Sequence, residues 1–599
     1  MNNTSTIPLR SQIAPSDTWD LSKLFATDAA WYAGLAEFEK MAEKIPSFQG
    51  TLAKSVENMA AYMAFSCEFG ILAERLYYYA DLRQTEDEGS GEARSMTGKI
   101  VMAMAKAQAA GAWERPEILA IPENVMEGFL ADSRLANYRI YLQRIVRYRP
   151  HILSDREERI IALNAEGDDA LSDTFSVLTN VDFDFGMLDT PQGKRPLSQS
   201  SFSVFMENPD RDLRRLAYKA FYEKFDTHKT TLASLYSGSV KRDVIRARIR
   251  NYPSARAAAL FPDNVPEAVY DNLVSVINAN LEPLHCYYAL RKQSLKLSEL
   301  RHYDVYTPFV PAAKKITPWN EAVRLVCEAL APLGEEYVSI LHSGLLGRWA
   351  DRYENKGKRS GAFSAGSYTG EPYILMNYKE DSIRDVFTLA HEGGHSMHSW
   401  YSAKNNPFMH YNYTIFEAEV ASTFNEELLF RYLENNADSK ELRLYLVNKR
   451  ADELLATLYR QTMFAEFEKI THELEECGNP LTVEILRAEY RMLLEKYFGP
   501  EMVLEDVSDL EGLRIPHFYR AFYVYKYATG ISAALALAER VLRGGSRERD
   551  DYFAFLKSGG SRFPIDSLKL AGVDMSSPEP VQKACSSFKR LVSELEQML

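Results

Sequence analysis

The sequence of 599 residues contains only five cysteines, and their distribution excludes two kinds of framework. The cysteines are widely scattered, are odd in number and form no C-x-x-C pair. Disulfide networks and cysteine-ligated zinc sites both need paired or closely spaced thiols. We therefore expect neither in this protein.

Long apolar runs are also missing from the sequence. A membrane-spanning helix needs about 20 consecutive apolar residues. The most apolar stretches, residues 61–82 and 530–542, are interrupted by charged side chains or are too short. The first residues, MNNTST, lack the basic region and the apolar core of a secretory signal. We therefore expect a cytoplasmic protein without a membrane partner.

Positive charge is scarce, since 70 lysines and arginines face 83 aspartates and glutamates, for a net charge of −13. Proteins that bind nucleic acids usually carry a basic face, so we expect no nucleic-acid partner. A local basic run at residues 241–250, KRDVIRARIR, is interpreted as a solvated helix face or, alternatively, as a site for an anion or a substrate carboxylate. The apolar and charged fractions are those of an ordinary globular protein.

One short motif points directly to chemistry, because residues 391–398 read HEGGHSMH. On a helix, His391 and His395 lie on one face, about 40° and about 6 Å apart, where two imidazoles can share one zinc ion. Glu392 lies about 100° around from His391, where a carboxylate can take a proton from a water that the metal activates. This is the H-E-x-x-H pattern of zinc hydrolases, which also occurs by chance in long helices.

The flanking sequence predicts that the motif is helical. Asp381 or Ser382 can cap a helix, the run IRDVFTLA follows with helical apolar spacing, and the residues NNP at 405–407 end it. Gly393 and Gly394 each cost about 1 kcal/mol in a helix interior relative to alanine. Their presence indicates that another element or a bound peptide approaches the backbone there.

A catalytic zinc usually has three protein ligands, so a third must lie elsewhere in the sequence. The metzincin motif would need glycine at 398 and histidine at 401, but the chain has His398 and Tyr401, which excludes that class. His398 lies about 10.5 Å along the helix axis from His391, too far for comfortable joint coordination. We interpret it as a packing or hydrogen-bonding residue.

A better source of the third ligand is the segment 415–427, IFEAEVASTFNEE. On a helix, Glu419, Ser422, Thr423 and Glu426 form one polar stripe, whereas Glu417 points to the opposite side. The first glutamate of the stripe follows the second histidine of the motif by 24 residues, a separation that suits a glutamate-ligand zincin. The alternative is that the stripe is a solvated edge.

The segments HEGGHSMH and FEAEVAST resemble the oligoendopeptidase F branch of the thimet oligopeptidase family of zinc metallopeptidases. The likeness extends to WDL at 19–21, to the segment around His517 and to GGSRFP at 559–564. It implies a mainly α-helical, two-lobed zincin with a small β-sheet near the active site and a deep channel that admits short unfolded peptides.

The resemblance also implies roles for four residues. His391, His395 and Glu419 match the family's ligands for a single Zn²⁺ ion, and Glu392 matches its general base. The expected partners are short peptide substrates.

The chain organisation shifts near residue 181. Helical periodicity runs from about residue 29 to 179, after which VDFDF alternates and TPQG at 190–193 signals a turn, so a small hairpin is expected between about 181 and 205. We place an N-terminal helical domain at residues 1–205 and a zinc-peptidase catalytic domain at 206–599.

A second strand-like patch, residues 361–378, leads into the motif helix. Its part 373–377, YILMN, is read as an exposed strand edge that pairs with an extended peptide, which makes Tyr373 a substrate-binding candidate. The alternative is a buried structural strand.

Residues 516–527, PHFYRAFYVYKY, form an aromatic cluster that belongs either to a core or to an active site. Peptide hydrolysis passes through an anionic tetrahedral intermediate that phenol or imidazole donors can stabilise. The resemblance favours Tyr525 and His517 as catalytic donors and Tyr519 as the third candidate; we place Tyr519 and Tyr523 among the substrate-binding residues. The spacing of histidine and tyrosines differs among branches of the family.

The sequence therefore predicts a zinc-dependent endopeptidase that hydrolyses short unfolded oligopeptides through a zinc-activated water. Two alternatives remain, a zinc carboxypeptidase and a noncatalytic peptide-binding protein of the same fold.

Overall fold

α-Helices dominate the computed structural model, which describes residues 7–164, 167–311 and 315–599. Strands are few and short, which confirms the predicted mainly α fold. Within the described ranges, no helix is both long enough and apolar enough to cross a membrane.

The helices in the first half of the described chain are α1 Asp28–Ala42, α2 Val56–Glu86, α3 Gly91–Ala110, α4 Glu114–Ala120, α5 Glu123–Ala131, α6 Arg139–Val146, α7 Asp155–Asn164, α8 Ala170–Val177, α9 Gln199–Met206, α10 Arg211–Thr227, α11 Lys229–Ile249, α12 Ala255–Leu260 and α13 Glu267–Ala279. Those that follow are α14 Glu282–Ser294, α15 Trp319–Ala329, α16 Glu335–Leu346, α17 Ile383–Asn405, α18 Phe408–Tyr411, α19 Ile415–Asn435, α20 Lys440–Leu454, α21 Arg460–Glu476, α22 Val483–Phe498, α23 Tyr525–Arg543, α24 Ser546–Ser558, α25 Pro564–Leu570 and α26 Glu579–Met598.

Local sequence explains where many helices begin and end. Ser55 accepts a hydrogen bond from the amide of Asn58 and so satisfies an otherwise unpaired donor at the start of α2. Gly499 follows the last residue of α22 with φ of 75°, a left-handed conformation that glycine adopts at little cost.

The strands form three small sheets. They are β1 Met187–Thr190, β2 Gly193–Pro196, β3 Leu300–Arg301, β4 Ala350–Asp351, β5 Phe363–Ala365, β6 Tyr373–Leu375 and β7 Met502–Val503. β1 and β2 are antiparallel with Thr190 opposite Gly193, which confirms the predicted hairpin. The alternating residues 181–185 precede this hairpin as a helical turn and coil rather than forming one of its strands.

The chain folds into two compact units, each built from three separate segments. Unit 1 comprises Met1–Arg149, Lys314–Asn436 and Ala534–Val573. Unit 2 comprises Pro150–Ala313, Ala437–Ala533 and Asp574–Leu599. The chain thus leaves and re-enters each unit, so these units do not coincide with a division at residue 205.

Unit 1 contains the three-stranded sheet, in the order β4-β6-β5, packed beside α2 and α3. Its buried core includes Trp19 and Trp31 from the first segment, Leu76 from α2 and Leu375 from β6. The N-terminal residues therefore belong to the same core as the central strand of the sheet.

A buried ammonium group braces this sheet. Lys358 Nζ donates to the carbonyl oxygens of Asp351, Tyr353 and Met376 at 3.1, 2.6 and 2.6 Å. It also pairs with the Asp351 carboxylate at 2.7 Å, and both side chains are almost completely buried. Because a buried charge is tolerated only when it is paired and hydrogen-bonded, this cluster fixes the ends of β4 and β6 relative to each other.

Unit 2 is also helical, and α21 lies near its centre, in contact with α11, α12, α13 and α22. The aromatic side chains of this core include Tyr236, Tyr270 and Phe467, which are all fully or almost fully buried. The unit also contains the β1–β2 hairpin and the parallel pair of β3 and β7.

Candidate metal centre

The histidine motif lies on the long helix α17, as the sequence predicts. The helix begins after Ser382 and ends at Asn405, so it has the predicted bounds. His391 and His395 are one turn apart on the same face, and their rings lie 4.8 Å apart between centroids. The helix therefore presents two imidazoles side by side.

A second helix, α19, crosses α17 at the glycine pair. A Cβ atom at Gly394 would lie 2.6 Å from the carbonyl oxygen of Ala421 and 2.6 Å from the Cα atom of Ser422. Real Cβ atoms do not approach backbone so closely, so only glycine permits this crossing. The expectation that another element approaches the backbone at the glycines is confirmed for Gly394.

This crossing brings a glutamate to the two imidazoles. The Nε2 atoms of His391 and His395 are 3.2 Å apart, and Glu419 Oε2 lies 3.5 Å from the first and 3.9 Å from the second. A circle through these three atoms has a radius of about 2.1 Å, which matches the zinc–nitrogen and zinc–oxygen distances of about 2.0–2.2 Å. The three side chains, here named the metal cluster, therefore fit one zinc ion.

Neighbouring side chains orient the members of the metal cluster. Glu426 Oε1 lies 2.5 Å from His391 Nδ1, and Ser422 Oγ lies 3.3 Å from Glu419 Oε2. Burial alone would lower the pKa of His391, but the hydrogen bond and charge of Glu426 raise it to about 9. Metal-ligating histidines commonly have such a carboxylate on the other ring nitrogen, which fixes the ring and its tautomer.

Glu426 lies on the predicted polar stripe of α19, but the sequence alone predicts no role for it. Its position at i+7 from Glu419 was the signal, because that spacing returns to the same face of a helix after two turns.

Glu392 lies beside the metal cluster in a largely buried position. Its side chain is 6% exposed, and its Oε2 atom has no hydrogen-bond partner among the described residues. Burial raises the pKa of Glu392 to about 7, although the adjacent His391 acts in the opposite direction. A carboxylate with a free oxygen and a pKa near neutrality is suited to accepting and returning a proton.

An open cavity of about 430 Å³ reaches the metal cluster and Glu392. Its other lining groups include Ser364 of β5 and the phenols of Tyr78 and Tyr413, two residues that are not among the predicted site residues. A larger cavity of about 600 Å³ elsewhere in unit 1 is lined by Trp349 and Trp400 but by no histidine. The chemistry therefore favours the smaller cavity as the candidate site.

His398 does not join the ligand cluster. It is 1% exposed and stacks on Tyr413, with ring centroids 3.6 Å apart, and against Phe555 at 5.1 Å. The group of potential metal ligands found among the described residues is His391, His395 and Glu419. The buried position of His398, stacked on Tyr413, agrees with its interpretation as a packing residue.

The hydrogen-bond partners of Glu417 differ from those of Glu419. Its Oε2 atom accepts hydrogen bonds from the amide and the hydroxyl of Thr414 at 3.2 Å each, so it caps the start of α19. Its side chain is completely buried away from the cavity, and it does not belong to the metal cluster.

The prediction of an exposed edge at residues 373–377 is wrong. β6 is the central strand, parallel to β4 on one side and antiparallel to β5 on the other. Tyr373 is completely buried and packs edge-on against Trp19, at 6.4 Å between ring centroids. The continuous apolar character of the strand, which reflects burial on both faces, was the signal for the alternative. The edge strand beside the cavity is β5.

The predicted donors of unit 2 divide into buried and accessible groups. Tyr525 is completely buried against Tyr270, at 5.2 Å between ring centroids, and Tyr519 is 8% exposed. His517, on a short 3₁₀ helix, is exposed, and its ring is parallel to that of Tyr523 at 6.3 Å.

Tyr527, for which the sequence predicts no role, completes an aromatic trio with His517 and Tyr523. Its ring lies 5.5 Å from Tyr523 and 6.3 Å from His517. The signal was again helical spacing, since Tyr527 follows Tyr523 by four residues. The roles of the histidine and the tyrosines remain predictions.

The sequence matches two profiles of known protein families. Residues 204–587 match the profile described as Peptidase family M3, and residues 117–185 match that described as Oligopeptidase F. The sequence is 43% identical to Oligopeptidase PepF of Bacillus subtilis, over 99% of this chain and 89% of that protein. It is 39% identical to an Oligoendopeptidase F homolog of Borreliella burgdorferi, over 98% and 99% of the two chains.

A solved structure shows the same fold. The oligoendopeptidase-F of Enterococcus faecium superposes with a TM-score of 0.71 and 32% identity, over 96% of this chain and 99% of that one.

Proposed function

The chain belongs to peptidase family M3, and from this premise we propose that it is a zinc-dependent endopeptidase that hydrolyses short unfolded oligopeptides. The observation that carries the proposal is the metal cluster with the buried carboxylate of Glu392 beside it. The names of its relatives, oligopeptidase and oligoendopeptidase, support peptides as the substrate class.

His391, His395 and Glu419 would hold the zinc ion. When bound, zinc supplies a Lewis acid that polarises a peptide carbonyl and lowers the pKa of water to about 7. Three carboxylates, of Glu392, Glu419 and Glu426, surround the two imidazoles and make the site attractive to a divalent cation.

Glu392 performs the proton transfers in this proposal. Its free Oε2 atom accepts a proton from the attacking water and then returns it to the nitrogen of the leaving amine as the peptide C–N bond breaks. One carboxylate can serve both steps because its pKa lies close to neutrality. Glu426 keeps the His391 ring oriented throughout.

Main-chain recognition is the second part of the proposal. β5 is an edge strand and borders the cavity through Phe363 and Ser364. An extended peptide can add to such an edge through backbone hydrogen bonds, which tolerates many side chains. β5 thus takes the place of residues 373–377 in the earlier prediction.

Hydrolysis of a fluorogenic peptide with both ends blocked tests the proposal. We expect the zinc-loaded protein to cut it, a chelator to abolish the cleavage, and Glu392→Gln to keep its zinc while losing nearly all turnover. An enzyme that cuts only peptides with a free C-terminus is the carboxypeptidase alternative. A zinc-loaded protein that binds peptides but cuts none is the noncatalytic alternative.

Kinetics of tyrosine variants decide which phenol, if any, stabilises the oxyanion. Loss of one such donor lowers kcat by about 10²- to 10³-fold with little change in KM. The sequence prediction expects this for Tyr525→Phe, whereas the exposure of the side chains favours Tyr523→Phe. A change confined to KM makes the residue concerned a substrate-binding one.

A further inference from the structure

The loop before α23 contains a strained residue. Phe522 has a φ of 56°, the left-handed region that bulky side chains rarely adopt. The other described non-glycine residues with positive φ are Asn251, Asn264 and Lys296, of which the two asparagines tolerate this conformation well. Such strain persists only where surrounding groups enforce it.

Two of the enforcing groups lie one turn apart on α21, and a third lies on α13. Glu468 Oε1 accepts a hydrogen bond of 3.0 Å from the Phe522 amide, and the glutamate side chain is completely buried. His472, one turn further along α21, holds the Phe522 ring at 4.5 Å between centroids, and Tyr270 contacts the same ring at 5.8 Å. Backbone and side chain of Phe522 are therefore both fixed by the core of unit 2.

The position of Phe522 in the chain gives this contact its importance. The residues 520–524 connect the 3₁₀ helix that carries His517 to the helix α23 that carries Tyr527. Tyr523 follows Phe522 directly, so the backbone angle at Phe522 sets the direction in which Tyr523 leaves the loop. The buried ring of Phe522 contacts His472 and Tyr270, whereas the partly exposed ring of Tyr523 contacts His517 and Tyr527.

We propose that Glu468 is a positioning residue for peptide hydrolysis, which holds the Phe522 amide and thereby fixes Tyr523 parallel to His517. This inference rests on the proposed function for its catalytic consequence, but the hydrogen bond itself is testable without it. Glu468 acts through the loop and does not touch the substrate.

Two substitutions of Glu468 separate positioning from bulk. Glu468 accepts the hydrogen bond from the Phe522 amide, and glutamine supplies a carbonyl oxygen in the same place. Burial also raises the pKa of Glu468 well above its usual range, which favours the uncharged carboxyl that glutamine resembles. We expect Glu468→Gln to keep kcat within about threefold, and Glu468→Leu to lower kcat by about 10- to 100-fold with a smaller change in KM, as misplacement of an active-site group does.

A double-variant cycle identifies the residue through which Glu468 acts. If that residue is Tyr523, Glu468→Leu lowers kcat by less than about threefold when Tyr523→Phe is already present. Full additivity of the two effects would overturn the proposal.

Glu466→Leu is the matched control. Glu466 is a buried carboxylate on the same helix, and it accepts hydrogen bonds from Lys496 and Tyr497, neither of which lies in the 517–527 segment. We expect it to lower the melting temperature of the protein without the selective loss of kcat. If kcat falls equally in Glu466→Leu and Glu468→Leu and follows thermal stability, Glu468 is merely structural.

Hydrogen exchange tests the hydrogen bond between the Phe522 amide and Glu468 independently of activity. We expect the amides of 520–524 to exchange slowly in the wild-type protein and in Glu468→Gln, and faster in Glu468→Leu, because removal of the acceptor frees the Phe522 amide. Unchanged exchange in Glu468→Leu overturns the inference. A protein with this exchange pattern but no peptidase activity would instead refute the proposed function alone.

Discussion

Replacement of Glu426 by glutamine tests how far the metal cluster depends on a residue that does not bind the metal. Glu426 lies 2.5 Å from His391 Nδ1 and is 13% exposed in its side chain. Glutamine keeps the length of the side chain and an acceptor oxygen but removes the negative charge. We expect weaker zinc binding with an unchanged fold.

The size of the expected loss of zinc affinity follows from the electrostatics of His391. Its pKa rises from 6.5 to about 9 although burial opposes the rise, which corresponds to about 3 kcal/mol of stabilisation of positive charge on the ring. Glu426 contributes most of this, with smaller parts from Glu392 and Glu419. Because glutamine retains a hydrogen bond, we expect a loss of about 1.4–2.7 kcal/mol, or about 10- to 100-fold in zinc affinity.

Competition with a chromophoric chelator measures this affinity directly. Glu427→Gln is the control, since Glu427 is the next residue on α19 and pairs with Arg431 at 2.7 Å rather than with the histidine. Wild-type zinc affinity in Glu426→Gln, or an equal loss in Glu427→Gln, would refute the assignment of Glu426 as the residue that orients the ring.

Three further predictions concern other parts of the structure. Glu419→Ala should lower the zinc content of the purified protein strongly and Glu417→Ala should not, because only Glu419 belongs to the metal cluster; the reverse result would mean that the wrong glutamate has been assigned. Gly394→Ala should reduce both the zinc content and the melting temperature, because the added Cβ meets backbone atoms at 2.6 Å. The control Gly98→Ala lies in an exposed and open part of α3 and should stabilise the protein by about 1 kcal/mol. A tolerated Gly394→Ala would show that the helix crossing adapts. Burial lowers the pKa of His302 to about 4, below the usual value of 6.5, so its contribution to stability is complete above about pH 6.5 and is lost as the pH falls through 4, by up to about 3 kcal/mol. The fall of melting temperature over this pH range should therefore be smaller in His302→Asn, and an identical fall in both proteins would contradict it.

The sequence was sufficient to predict the parts of the site that depend on local geometry. The bounds of α17, the helical segment that carries Glu419 and the approach of another element at Gly394 all follow from helical spacing and from the cost of glycine in a helix. The interaction of Glu426 with His391 joins two helices and depends on how they cross, so helical spacing alone could not assign its role.

Features that depend on long-range packing were not predictable in the same way. Whether a short apolar strand is central or at an edge is decided by its neighbours, and β6 acquires two of them from elsewhere in the chain. In the aromatic segment, Phe522 has a positive φ and its amide donates to Glu468, more than 50 residues earlier in the chain, so helical spacing alone could not show which phenols are exposed. The segments of the two compact units alternate along the chain, and no local sequence pattern indicates this alternation.

The three-segment construction of unit 1 has a consequence for the order in which its parts can pack during synthesis. The ligands are complete once Glu419 has been made, but α17 packs against α24, residues Ser546–Ser558, and His398 of the motif lies against Phe555. At roughly 5–20 residues per second, the ribosome needs on the order of 10 s to extend the chain from Glu419 to α24. A nascent chain therefore carries all three members of the metal cluster for some time before α17 can pack against α24.

Packing around the metal cluster is thus completed only near the end of translation, when the third segment of unit 1, Ala534–Val573, has left the ribosome. Under the proposed function, this order of segments completes the packing of the peptidase site only after most of the chain has been made.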